Sequence, residues 1–215
     1  MNAILEAPTP ERVKAANAKF DQENELTEYT LQELFRQYPG NSDLRHVLLK
    51  VVAVNALYHT CIFALDTVAR HIHSNHAQID AALASGSPEM VDAIARVKVH
   101  GKHYNFYSFA TKFCSWHNPA AYPIYDAHVD HYLWNLQQHD RFASFLHPDL
   151  WNYPKFLQIM QAFRDAHKLS SYSFKEIDKF LYLEGAPPRT AAHEPEPCGP
   201  GAFDYYPAEE IQAQP

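Results

Sequence analysis

A chain of 215 residues, 47% of them hydrophobic, is long enough to bury one sizeable core and short for two. The net charge of -7 gives no overall attraction for phosphate, but the excess acid falls in residues 1–41 and 186–215. Residues 42–185 are balanced, which leaves a locally basic face open.

No run reaches the roughly 18 to 20 apolar residues that a membrane helix needs, and no basic-then-apolar leader opens the chain. The three cysteines, Cys61, Cys114 and Cys198, are too widely spaced for a zinc or redox motif. A cytoplasmic protein with reduced, mostly buried thiols is expected.

Taken in order, Thr9-Pro10-Glu11 starts a helix, with threonine as cap and proline in the first turn. A second runs from Thr27 to Tyr38 and stops at Pro39-Gly40. Asn41-Ser42-Asp43 then caps a long segment in which Val47, Val51, Val54, Tyr58, Ile62, Leu65 and Val68 keep three-four spacing, predicting the central buried helix. Shorter helices are predicted over 75–84 and 88–99. An aromatic helix covers Phe106 to Trp116 and breaks at His117-Asn118-Pro119. An extended stretch Tyr122-Pro123-Ile124-Tyr125 leads into a helix beginning at Asp126. Helices over 149–167 and 173–183 follow. No segment alternates as a strand would. From Pro187 the chain becomes proline-rich and acidic, without periodicity.

These elements predict an all-α protein with a single helical domain. Residues 1–25 form an N-terminal helical extension, 26–185 the domain, and 186–215 a Pro-rich tail.

Two charged residues stand out. Asp126 falls at the N-cap of a helix whose Val129, Leu133 and Leu136 share one face, so the positive end of the helix dipole favours its anion. Lys112 lies in the nearly continuous apolar run Ser108 to Cys114, where an ammonium is expensive unless paired. The short break between the two helices can bring the pair together. A helix cap and a buried structural ion pair are the plain alternatives.

Among fourteen histidines, His128 and His131 are spaced to share a helix face, which supports a third reading as a metal-dependent hydrolase. Asp126 does not lie on that face, so no metal site is expected.

A lysine on a helix, a short break, and Pro123-Ile124-Tyr125-Asp126 opening the next helix resemble the catalytic core of the helix-hairpin-helix DNA glycosylases. The likeness spans residues 26–185 and is greatest to a bacterial branch similar to the 8-oxoguanine glycosylases, with Lys50 to Thr60 and Phe174 to Leu183 fitting the same pattern. The glycine-rich hairpin of that superfamily is replaced by His100-Gly101-Lys102.

The resemblance implies a glycosylase fold and cleavage of the N-glycosidic bond of a modified base in duplex DNA, by a monomer without a cofactor. Asp126 would stabilise positive charge at C1′, and Lys112 would attack the sugar or act electrostatically. The target base would be flipped out against Asn55, Tyr58, Trp116, Asp178 and Tyr182. Base-excision repair and defence against phage DNA with hypermodified bases, such as glucosylated hydroxymethylcytosine, are both compatible. A helical DNA- or protein-binding module without catalysis is the alternative.

Overall fold

The computed structural model describes residues 7–186. The expected tail from Pro187 onward lies outside them, as does Cys198. Among the described residues the protein is mainly helical, with nine α-helices and one two-stranded hairpin. None of these helices is long and apolar enough to cross a membrane.

Helix α1 (Pro10–Gln37) is a single 28-residue helix capped by Thr9. It runs through the position where the sequence pattern predicts two helices and a boundary between residues 25 and 26. Its buried residues are widely spaced, from Val13, Ala16 and Phe20 to Leu31 and Phe35, and the polar run between them reads as a gap only if tertiary support is ignored.

The long apolar segment also departs from expectation, because it divides into α2 (Leu44–Tyr58) and α3 (Leu65–Ser74). His59 ends α2 in the left-handed region and Cys61 is left-handed as well. Asn55 fixes this break: its Oδ1 accepts from the Ile62 amide and the Thr60 hydroxyl, each at 2.8 Å. Leu49, Val52 and Leu57 of α2 remain exposed, so α2 is not the centre of the core. Cys114 is a buried free thiol.

After α4 (His76–Ser85) and α5 (Glu89–Ala95), residues 96–99, predicted to continue a helix, instead form strand β1 (Arg96–Val99), which pairs antiparallel with β2 (Lys102–Asn105). Arg96 pairs with Asn105 and Val99 with Lys102. His100 and Gly101 both have positive φ, the requirement of a two-residue hairpin turn. Val97 and Val99 are buried while Arg96 and Lys98 are exposed, a half-covered strand too short to show in a helical window.

The central element is α6 (Tyr107–His117), with residues Tyr107 and Phe109 to Ser115 all buried. It packs against α1, α2, α4 and α5. Helix α7 (Ala127–Asp140) follows the extended segment, and a 3-10 turn (His147–Trp151) precedes α8 (Tyr153–Ala166). Helix α9 (Phe174–Glu184), opened by a capping box between Ser173 and Glu176, closes the fold by packing on α1 and α7.

Candidate active site

Asp126 sits where its local sequence puts it. The four residues before it are pinned to the core: the Tyr153 hydroxyl donates to Pro123 O at 2.9 Å, and the Thr111 hydroxyl accepts from Tyr125 N at 3.1 Å. Asp126 is extended and caps α7. Its Oδ1 accepts from the amides of His128 and Val129 at 3.0 and 3.1 Å, which leaves Oδ2 for Lys112.

The Lys112 Nζ lies 3.4 Å from Asp126 Oδ2, its side chain only 3% exposed. It donates to Ser108 Oγ at 2.9 Å and to Tyr125 O at 3.3 Å. Three acceptors therefore surround the three protons of an ammonium. The Tyr58 ring covers the ammonium at 5.5 Å. Burial by itself would raise the Asp126 pKa, but the Lys112 charge and the Val129 amide hold it below the ordinary aspartate range. The pair is thus charged and desolvated, with one carboxylate edge fixed by backbone amides.

The other expected residues divide into three groups. Tyr58 and Trp116 belong to the site: the indole Nε1 donates to the Tyr58 hydroxyl at 3.2 Å. Asp178 of α9 is close enough to feel the charges of Asp126 and Lys112. It is only 8% exposed, and burial, with Asp126 adding to it, raises its pKa to about 7. Tyr182 lies one turn further on, 41% exposed and stacked on His128 at 4.9 Å. Asn55 spends its side chain on the loop after α2, as described above. His128 binds Tyr182 O through Nδ1 at 2.9 Å and His131 sits against Asn135, so the two do not converge. Among the described residues no cluster of three or more His, Cys, Asp or Glu forms a metal site.

Beside this group a cleft of about 410 Å³ opens between α1, the end of α6 and α9, lined by Glu28, Gln32, Phe35, Trp116, His117 and Lys175 among others. Lys175 lies 4.4 Å over the Trp116 ring and pairs with Glu28 at 3.1 Å. Behind His117 the buried Lys50 donates to Tyr38 O, Gly40 O and Asn41 Oδ1 at 3.1, 3.0 and 2.7 Å. Burial, together with the Lys50 charge, depresses the His117 pKa to about 3, so the ring is neutral.

Sequence reasoning missed Ser108, Thr111, Glu28 and Lys175. Ser108 was accessible in principle, since it lies one helical turn before Lys112. Glu28 and Lys175 are 147 positions apart, and nothing local couples them.

The fold and the site define a helical protein with a desolvated lysine–carboxylate pair at a helix N-terminus. Residues 12–121 match the family described as HI_0787_N, N-terminal domain, and the chain belongs to that family. A Haemophilus influenzae protein described as uncharacterized is 40% identical over 139 residues, covering 65% of this chain and 66% of the relative. The match thus spans just under two thirds of that relative's length. No solved structure matches. The family match includes Lys112 and ends before Asp126.

Proposed function

We propose that the protein is a DNA glycosylase of the helix-hairpin-helix type that cleaves the N-glycosidic bond of a modified base and leaves an abasic site. The observation that carries this reading is the buried contact of 3.4 Å between Lys112 Nζ and Asp126 Oδ2 at the start of α7. Departure of the base builds positive charge on the sugar at C1′. A preorganised anion in a water-poor site stabilises that charge, and the amides of His128 and Val129 keep it in place without reorganisation. Lys112 holds the carboxylate charged and supplies a cation for the adjoining phosphate or departing base.

With three acceptors already around its Nζ, Lys112 serves first as an electrostatic partner. It becomes a nucleophile only if substrate displaces those contacts. The hairpin before α6 offers Lys98 and Lys102 as exposed cations, suited to a phosphate backbone despite the negative net charge. A monomer acting on duplex DNA, with the target nucleotide extruded toward Tyr58, Trp116 and Asp178, fits this arrangement. Repair of an oxidised base and removal of a hypermodified base from phage DNA both use this chemistry.

The test is incubation of the full chain with labelled duplexes carrying 8-oxoguanine or glucosylated 5-hydroxymethylcytosine, scored for alkali-labile sites. Asp126→Asn preserves the helix cap and should lower base release about 10²- to 10³-fold. Full activity in that variant, or no base released by the wild type, refutes the proposal. Borohydride trapping then asks whether Lys112 forms an imine.

A further inference from the structure

Trp116 joins the charged pair to a cavity. Its indole Nε1 donates to the Tyr58 hydroxyl at 3.2 Å, and the same Tyr58 ring covers the Lys112 ammonium at 5.5 Å. Trp116 also lines the cleft of about 410 Å³, together with Phe35 and His117, a volume within the roughly 300 to 1,000 Å³ of small-molecule sites. Phe35 lies 6.0 Å from the indole with the two rings tilted by 31°, and meets His117 edge-on at 5.0 Å. The three rings form one aromatic wall, tied at the indole N–H by Tyr58.

What covers the indole at the cleft is a charge rather than a packed apolar side chain. The Lys175 Nζ lies 4.4 Å from the centre of the Trp116 ring and 3.1 Å from Glu28 Oε1, with the two side chains 19% and 20% exposed. An ammonium over an indole face is a contact that another ring can replace, and the flexible lysine stem can swing aside while Glu28 keeps its charge paired. Ser115, one residue before Trp116, is 4% exposed and lines the same cleft. Its hydroxyl makes no hydrogen bond with the described residues, which leaves it for the polar edge of a ligand.

We infer that the cleft is a stacking site for a flat heteroaromatic ring, kept closed by Lys175, whose ammonium leaves the face of Trp116 when the ring enters. Ser115 then offers its hydroxyl to the edge of the ring, and Lys175, still tethered to Glu28, stands at the rim. The stacking site follows from the cleft itself; that the ring is an extruded base rests on the glycosylase reading. In that reading Tyr58, which touches both Trp116 and Lys112, separates the stacked base from the charged pair by a single side chain. Exchanging a cation for a ring also gives selectivity. A sugar or a bare phosphate has no π face with which to replace the ammonium and gains nothing by displacing it. Nucleobases, each with a π face and a hydrogen-bonding edge, are the class of ligand that fits.

The test uses the nucleoside of 2-aminopurine, whose emission is quenched on stacking, added to the full chain labelled with nitrogen-15. The three tryptophans give three indole N–H signals, and Trp116→Phe assigns one of them. Saturable quenching should come with a shift of the Trp116 signal while those of Trp134 and Trp151 stay in place. Lys175→Ala uncaps the indole and should tighten binding about tenfold. Trp116→Leu should abolish quenching, with urea unfolding to show that the variant folds. Trp116→Phe, a smaller ring in the same place, should weaken binding about tenfold and serves if the leucine variant does not fold. Shifts confined to Trp134 or Trp151, or no saturable binding by either the wild type or Lys175→Ala, overturn the stacking site. Binding by Lys175→Ala that is no tighter than wild type overturns the closing role of Lys175. Base release from modified duplexes is scored separately. Nucleoside binding at Trp116 without base release leaves the stacking site standing and removes the glycosylase reading, and base release with an unmoved Trp116 signal does the reverse.

Discussion

Replacing Asp178 with asparagine should stabilise the folded protein, and by an amount that depends on pH. The Asp178 pKa is raised from 3.8 to about 7 in the folded state, chiefly by burial. The folded chain therefore holds a proton that the unfolded chain releases between those values, so stability is intact below pH 3.8 and is lost as pH rises toward 7. At about 1.4 kcal/mol per unit, the full penalty is on the order of 4 kcal/mol above pH 7, of which about 2–3 kcal/mol accrues between pH 5 and pH 7. The amide of the Asp178→Asn variant does not titrate and escapes that penalty. The assay is urea unfolding of both proteins at pH 5, 6, 7 and 8, followed by circular dichroism. The advantage of the variant should grow through pH 7 and then level off. An advantage that is constant with pH, or that shrinks as pH rises, would refute the claim that Asp178 is protonated in the native state.

Other substitutions separate packing from chemistry. At Gly185 an added Cβ would lie 2.1 Å from His128 O and 2.7 Å from Leu181 O, both backbone atoms. Gly185→Ala should therefore destabilise by about 3 kcal/mol in urea unfolding through overpacking, and it should weaken base release by displacing the first turn of α7. Asn55→Ala frees the loop after α2 and should lower stability by about 1–3 kcal/mol, while single-turnover base release stays within about twofold; a large loss of rate at unchanged stability would return Asn55 to the site. Lys50→Met removes the donor for three acceptors, Tyr38 O, Gly40 O and Asn41 Oδ1, and should destabilise by about 3 kcal/mol at about 1 kcal/mol for each. A neutral result would mean that water reaches them.

The core of the candidate site was legible because it is local. Lys112 and Asp126 are joined by one loop, and the proline that keeps Tyr122 extended also aims the chain at the cap. Asp178 could be named as a polar residue of the last helix, but its burial within reach of the Asp126 and Lys112 charges could not, since that depends on how α9 docks on α1 and α7. The hairpin over 96–105 escaped notice because Val97 continues the i, i+3 spacing of Val91 and Ile94, and a His-Gly turn lacks the usual Asn-Gly signature. The split of α2 from α3 was hidden for a similar reason: apolar spacing continues through the break, and the capping contact from Asn55 lies outside periodicity. The length of α1 was obscured by its polar middle, which is held by partners on α9 such as Lys179 with Asp21 and Lys175 with Glu28.

That last feature bears on the order in which the site is assembled. The ion pair of Lys112 with Asp126 closes a short loop, which forms at little entropic expense and early. Asp178, by contrast, arrives only when α9 docks on α1, across contacts such as Arg12 with Glu184 and Asn17 with Glu176 that join opposite ends of the described chain. During synthesis α9 emerges after every other described helix. A nascent or frayed molecule would thus hold the Lys112–Asp126 pair before Asp178 is packed into its surroundings, so the finished charge environment of the pair depends on the last packing step of the fold.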